Sequence, residues 1–390
     1  MFLLLLAIIY LAFIGLGLPA SLLGSAWPSM YSQLEVPLAY AGLVSILITI
    51  GTVVSSLWAD RLGRRFNIAP IITVSMLISA ASMFGFATAD RFWLLCLYAI
   101  PLGLATGVID ASLNNYVALH YSSKAMNWLH CFWAVGASIS PYIMGFALTR
   151  GTGWSQGYLI VSLLLMGVTA ILLASFPLWR KHKAIVANDS SSEITSSLRL
   201  LQLIKLPGVK MAMLAFIAYC GLEMTAALWA SSYLVSHRNI HPDIAARYGA
   251  LFFIGVMAGR FFSGFISDRL GDRKIIRLGI SIILIGILAV FLPLPVDWMV
   301  LGGLIIIGLG CAPIFPALIH ATPVNFGKEH SQAVIGVQMA SAYTGATFLP
   351  PLFGFIAGFT GIAILPVVLL FWAVVMMVAV GRLNRLVDVS

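Results

Sequence analysis

The chain has 390 residues, 61% of them hydrophobic and 9% charged, with a mean hydropathy of +1.02. A water-soluble domain carries about 25% charged residues, so this composition excludes one and calls for lipid as the solvent. The net charge of +9 suggests nucleic acid at first sight, but its distribution points to a membrane surface, and no nucleic-acid partner is expected.

Apolar runs of roughly 20 residues recur, the length at which a helix rising about 1.5 Å per residue crosses a ~30 Å hydrocarbon core. Backbone groups cannot go unpaired in lipid, and the runs lack the alternation of a barrel strand, so they read as helices. The pattern predicts spans at residues 3–25, 38–59, 67–88, 92–118, 126–149, 156–179, 209–236, 246–267, 275–293, 297–320, 331–357 and 361–381. The expected fold is an all-α integral membrane protein of twelve transmembrane helices. Its parts are an N-terminal six-helix bundle (1–180), a cytoplasmic linker (181–208) and a C-terminal six-helix bundle (209–390).

The first span lacks a basic leader and runs on through Trp27, which predicts an uncleaved helix rather than a signal peptide. Its Gly15, Gly17 and Pro19 permit close packing or a break facing a cavity. Trp27 is either an interfacial anchor or a stacking surface for a ligand. In the fourth span Gly103, Gly107, Asp110 and Asn114 share one helix face. An acid there is costly in lipid, so Asp110 marks a substrate or proton route unless it serves a structural pair. The fifth span sets Asn127, His130, Ala134 and Ser138 on one face; His130 is a candidate proton relay or a satisfied hydrogen-bonding residue.

Residues 180–206 form an extended polar and basic segment suited to an anionic leaflet. The seventh span carries Tyr219, Glu223, Trp229 and Tyr233, with Glu223 near its middle. A carboxylate at that depth beside aromatic rings suits a hydroxylated solute, through charge-assisted hydrogen bonds and ring contact, or it carries a coupling proton. Arg260 in the eighth span needs an acid, and Asp110, Glu223 and Asp268 are all candidates. Ala312-Pro313-x-x-Pro316 predicts a broken tenth helix, and Gln338 is an amide deep in the eleventh. Cys96, Cys131, Cys220 and Cys311 fall inside spans without metal-ligand spacing and read as packing residues.

Seventeen Lys and Arg residues, from Arg61 to Arg385, fall in one set of connections, against Arg91, Arg150, Arg238 and Arg247 in the other. This asymmetry predicts both termini and the linker on the cytoplasmic side of the cell (inner) membrane.

The stretch Gly51-x3-Ser55-x4-Asp60-Arg61-Leu62-Gly63-x-Arg65 returns as Gly259-x3-Ser263-x4-Asp268-Arg269-Leu270-Gly271-x-Arg273, 208 residues later. Gly136-Ala137-x3-Pro141-x3-Gly145-Phe146 returns as Gly345-Ala346-x3-Pro350-x3-Gly354-Phe355 at an offset of 209. Two matches at nearly one offset indicate two related halves. The basic hairpin resembles the signature loop of the major facilitator superfamily, Gly-x3-Asp-Arg/Lys-x-Gly-Arg-Arg/Lys, although Ser56 stands where the leading glycine falls in the first copy. Within that superfamily, Gly221-x-Glu223-x5-Trp229-x3-Tyr233, the fourth-span acid and Ala-Pro-x-Phe-Pro resemble the fucose and glucose proton symporter branch and its sodium-dependent glucose transporter relatives.

The resemblance implies a monomeric secondary transporter of a small polar solute, most favourably a sugar, working by alternating access in the bilayer. It implies coupling to H+ or Na+ through Asp110, with Glu223 and His130 as further candidates and no other cofactor. The branch often has a second acid in the first span, where this chain has only Ser21 and Ser25. Solute contacts are expected from Trp27, Asn114, Tyr219, Glu223, Trp229 and Gln338, and gating from Asp60, Arg61, Arg65, Asp268, Arg269 and Arg273 through charge and helix-dipole contacts. The alternative within transport is export of amphipathic drugs or metabolites by proton antiport. An intramembrane enzyme needs paired acid and base or HExxH spacing, which the seven histidines do not supply, so no enzyme is expected.

Overall fold

The computed structural model describes residues 2–121, 123–179, 203–292 and 297–388. Side chains of Asp60, Arg61, Arg65, Asn127 and Asp268 lie outside the described set, so four of the predicted gating residues have only a backbone position, as has Asn127. Most of the linker lies outside it too.

The helices are α1 Phe2–Gly17, α2 Leu22–Gln33, α3 Tyr40–Arg65, α4 Ile68–Thr88, α5 Phe92–His120, α6 Ser123–Thr149 and α7 Gly153–Ala174. After the linker come α8 Val209–Arg238, α9 Pro242–Leu270, α10 Asp272–Phe291, α11 Asp297–Cys311, α12 Ile314–His320, α13 Thr322–Phe326, α14 Lys328–Thr360 and α15 Leu365–Asp388. Eleven stretches among the described residues are long and apolar enough to cross a membrane, and Tyr40–Ser56 is a shorter apolar stretch among them. The fold is thus an all-α, multi-pass membrane protein. Outward-facing Phe265 (67% exposed), Leu163 (63%) and Phe355 (62%) fit a lipid-facing surface rather than a wetted one.

Two spans are interrupted. Pro19 has no N–H to return to the Gly15 carbonyl, so α1 stops at Gly17, and the first span resumes as α2 through Gln33, past the predicted end at residue 25. The tenth span breaks between Cys311 and Ile314, where Pro313 starts a new turn. Gly271, at φ 74°, starts α10 in a conformation that only glycine adopts cheaply, whereas the first copy of the motif stays helical to Arg65. The repeated sequence therefore folds into two different local shapes.

By Cα packing the chain falls into two compact units. In the first, α1 lies on α6, α3 on α5 and α4 on α7, and residues Asn239–Ala250, which include the start of α9, group with it. A Cβ on Gly17 would lie 2.1 Å from the Trp133 carbonyl oxygen, one on Gly136 2.1 Å from that of Ile14, and one on Gly103 2.2 Å from that of Ile48. In the second unit α8 packs on α14 and α15, and α10 on α11. Here a Cβ on Gly345 would lie 2.3 Å from the Ile217 carbonyl oxygen, one on Gly255 2.1 Å from that of Ile305, and one on Gly308 2.0 Å from that of Phe252. At these glycines, among them the duplicated pair Gly136 and Gly345, helix backbones touch.

Candidate functional site

In the first unit the polar groups sit on α5. Asn114 Nδ2 donates to Asp110 Oδ1 at 2.9 Å and to the Asp110 backbone oxygen at 3.0 Å, so two residues named from sequence meet one helical turn apart. Both are half-buried. Gly103 and Gly107 on the same helix face α3 and bring it close, with Thr52 Oγ1 and Thr106 Oγ1 3.2 Å apart between the two helices. His130 on α6 is half-buried, its ring edge-on to Phe13 at 6.0 Å between centroids.

At the break after α1, Ser21 Oγ donates to the Ala137 carbonyl at 2.6 Å and lies 2.7 Å from Ser140 Oγ. Ser25 Oγ donates to the Ser21 carbonyl at 2.7 Å. Ser21 thus ties the broken span to α6 through neutral hydrogen bonds.

In the second unit Glu223 lies halfway along α8 and is almost fully buried; Arg260 Nη2 of α9 stands 4.0 Å from its Oε1. Glu223 is one of the three acids open to Arg260 on sequence, and the side chain of another, Asp268, lies outside the described set. The separation is an ion-pair distance, too long for a direct hydrogen bond. One turn earlier Tyr219 is fully buried, its ring 6.2 Å from that of Phe315 on α12. The Tyr219 hydroxyl is buried within interaction range of the Glu223 carboxylate. Gln338 of α14 is buried, its Oε1 3.0 Å from the Thr322 hydroxyl, which is also 3.0 Å from the Leu318 carbonyl and so donates to one or the other.

The two tryptophans expected to contact solute are committed elsewhere. Trp27 is fully buried on α2, and its Nε1 donates to the Leu38 carbonyl at 2.7 Å. Trp229 is fully buried on α8, with Nε1 donating to the Pro350 carbonyl at 2.9 Å and its ring edge-on to Phe353. Neither indole offers an open face in this conformation. Of the second motif copy, Arg269 is exposed and Arg273 half-buried.

Three clusters escaped the sequence reading. His320, at the end of α12, lies 2.8 Å from Asp272 on α10. Arg247 Nη2 donates to Thr149 Oγ1 at 2.6 Å, and that hydroxyl is 3.0 Å from Asp243 Oδ2. Asp243 also pairs with His241. The one available signal was Asp243 directly after Pro242, a helix-start pattern. Thr322 as partner of Gln338 left no sequence signal.

A family model described as the Major Facilitator Superfamily matches residues 9–241 and again 211–387. The glucose/mannose transporter GlcP of Bacillus subtilis (strain 168) is 22% identical, over 73% of this chain and 70% of its own length. The class E tetracycline resistance protein of Escherichia coli is 26% identical, over 90% of this chain and 86% of its own. Among solved structures, that of the nucleoside transporter NupG has the same fold, with a TM-score of 0.78 at 13% identity over 97% of this chain and 98% of that one. The family match covers both units with their buried polar groups, and the chain belongs to the major facilitator superfamily of membrane transporters.

Proposed function

We propose that the chain carries a small polar solute, most favourably a sugar, across the cytoplasmic membrane by alternating access, driven by symport of H+ or Na+. The observation that carries this reading is the Glu223–Arg260 pair halfway along α8. Charged groups at that depth are costly unless they serve a solute or ion route, and transporters of this architecture place their sites near the bilayer midplane. Asp110 with Asn114 supplies a second polar station, in the other unit. Asp110 is assigned the coupling role, since only a group that binds its ion with different affinity in two states can shift them. The similarity to a glucose/mannose transporter supports a hydroxylated solute. Trp27 and Trp229 are left out of the solute contacts, because their rings are enclosed.

The second reading, export of amphipathic compounds by proton antiport, is favoured by the similarity to the tetracycline resistance protein. The buried charged and amide groups of α8 and α14 weigh towards the first. The test is uptake of labelled hexoses into proteoliposomes under an imposed pH or sodium gradient, with tetracycline under the reversed gradient as the competing assay. Hexose accumulation that Glu223→Gln lowers by at least about tenfold supports the site. Hexose uptake untouched by that change removes Glu223 from it, and gradient-driven tetracycline movement without hexose uptake favours the exporter.

A further inference from the structure

Two helices of the second unit carry exposed cations at one end and none at the other. On α10, Lys274 and Arg277 head an exposed stripe that continues through Ser281 and Ile285 to Leu288 at steps of three and four residues, which is one helix face. On α15, Phe371, Val378, Arg382 and Arg385 form a matching stripe, with the two arginines last. The rest of both helices, residues 278–291 and 365–381, contains no charged residue. Each stripe is therefore apolar along the membrane and basic at a single end.

The two basic ends stand together. α10 packs on α15. Asp272, in the first turn of α10, lies 2.8 Å from His320, which leads through α13 to Phe326. A Cβ on Gly208 would lie 3.4 Å from the Phe326 ring, and 2.9 Å and 3.3 Å from Leu383 and Val387 of α15. The start of α10 and the end of α15 are thus at the same end of the unit. Helices in contact lie about 8–10 Å apart, so long side chains from both can reach a group held between them.

None of Lys274, Arg277, Arg382 and Arg385 has an ion-pair partner among the described residues. The acid at hand, Asp272, is engaged with His320. Four like charges on adjoining helix ends repel one another, and an anion between them relieves that repulsion. Guanidinium forks match phosphate oxygens in a two-point geometry, and lysine adds a point charge. A free phosphate would satisfy the cations and leave the apolar stripes as they were. A phospholipid satisfies both, with its phosphodiester at the cations and its acyl chains along the stripes.

We propose that the paired ends of α10 and α15 form a binding site for one anionic phospholipid. Lys274, Arg277, Arg382 and Arg385 hold its phosphodiester, and its acyl chains lie on Ile285, Leu288, Phe371 and Val378. The site is separate from the buried polar groups of α8 and α14 and does not depend on which solute they serve.

The experiment uses the full chain purified in detergent, with phosphatidylglycerol and phosphatidylcholine of identical acyl chains as probes, read by native mass spectrometry and thermal shift. Phosphatidylglycerol is expected to bind at least about tenfold more tightly than phosphatidylcholine. Lys274→Gln/Arg277→Gln and Arg382→Gln/Arg385→Gln should each lower that affinity by at least about fivefold. Lys274→Arg/Arg382→Lys keeps the charge and should retain the binding, which separates charge from folding. Lys181→Gln/Lys183→Gln removes the same charge from the linker and should leave the affinity as it is. Phosphatidylglycerol held no better than phosphatidylcholine overturns the proposal. An equal loss in the linker variant overturns it too, because the attraction is then diffuse. Glycerol 3-phosphate competing as strongly as the lipid makes the occupant a soluble phosphate and overturns the lipid assignment. A lipid-free dimer that either glutamine pair dissociates overturns it in favour of an interface between copies.

Discussion

Glu223 and Arg260 have side chains only 9% and 18% exposed, so removing one leaves the other's charge with little water to hydrate it. Breaking one partner of such a pair costs about 3–5 kcal/mol, whereas replacing both by neutral groups costs far less. Thermal unfolding in detergent should therefore show Glu223→Gln and Arg260→Gln each less stable than the double variant; a double variant as unstable as the worse single one would show that the two charges do not compensate each other. Asp110 poses a different problem. An amide in its place still accepts from Asn114 Nδ2, so Asp110→Asn removes charge while keeping the hydrogen bond. Stability should change by less than about 0.5 kcal/mol. Gradient-driven accumulation should vanish and solute exchange persist; unchanged accumulation would take Asp110 out of the coupling role. The candidate acids were legible at this scale because an ionisable residue in an apolar run stands out. Nothing in the sequence shows that the Trp27 and Trp229 N–H groups are consumed by the carbonyls of Leu38 and Pro350, since a tryptophan in an apolar run looks the same whether its ring is open or enclosed.

The helices are held at fixed distances by glycine. At Gly103, Gly136, Gly255 and Gly308 the nearest atom to an added Cβ is a carbonyl oxygen of the neighbouring helix, at 2.0–2.2 Å, and backbone cannot swing aside as a side chain can. Alanine at each should cost about 1–3 kcal/mol as an overpacking strain. Gly167 on α7 has open space around its Cβ position, and alanine there should stabilise by up to about 1 kcal/mol through helix propensity. Unfolding of the five single variants measures the contrast; a neutral Gly308→Ala would mean that the second-unit contact is looser than the geometry requires. Of these glycines Gly136 was visible as part of a repeat and Gly103 as part of one helix face, and the prolines announced both helix breaks. Which helix each glycine meets was not visible, because one glycine-rich face fits several neighbours until the bundle chooses one.

Seen as a whole, the molecule is a duplicated set of membrane helices, and the matches at residues 9–241 and 211–387 agree with that duplication. The excess of Lys and Arg on one set of connections is the ground for expecting the linker on the cytoplasmic side. A cysteine introduced at Ser192 should react with a membrane-impermeant maleimide only in inside-out vesicles, and one at exposed Thr152 only in intact cells. The reverse pattern would invert the topology. The amino-acid sequence by itself determined the lipid solvent, the limits of most spans and the position of Glu223 halfway along its helix, because run length, glycine and proline spacing and charge bias act locally along a chain. The tertiary structure alone decided that Arg260 faces Glu223, that Gln338 meets Thr322, and that the first turns of α9 bind Thr149. Those outcomes depend on how helices distant in sequence cross, and a crossing is fixed by the fit of two whole surfaces rather than by any one stretch of residues.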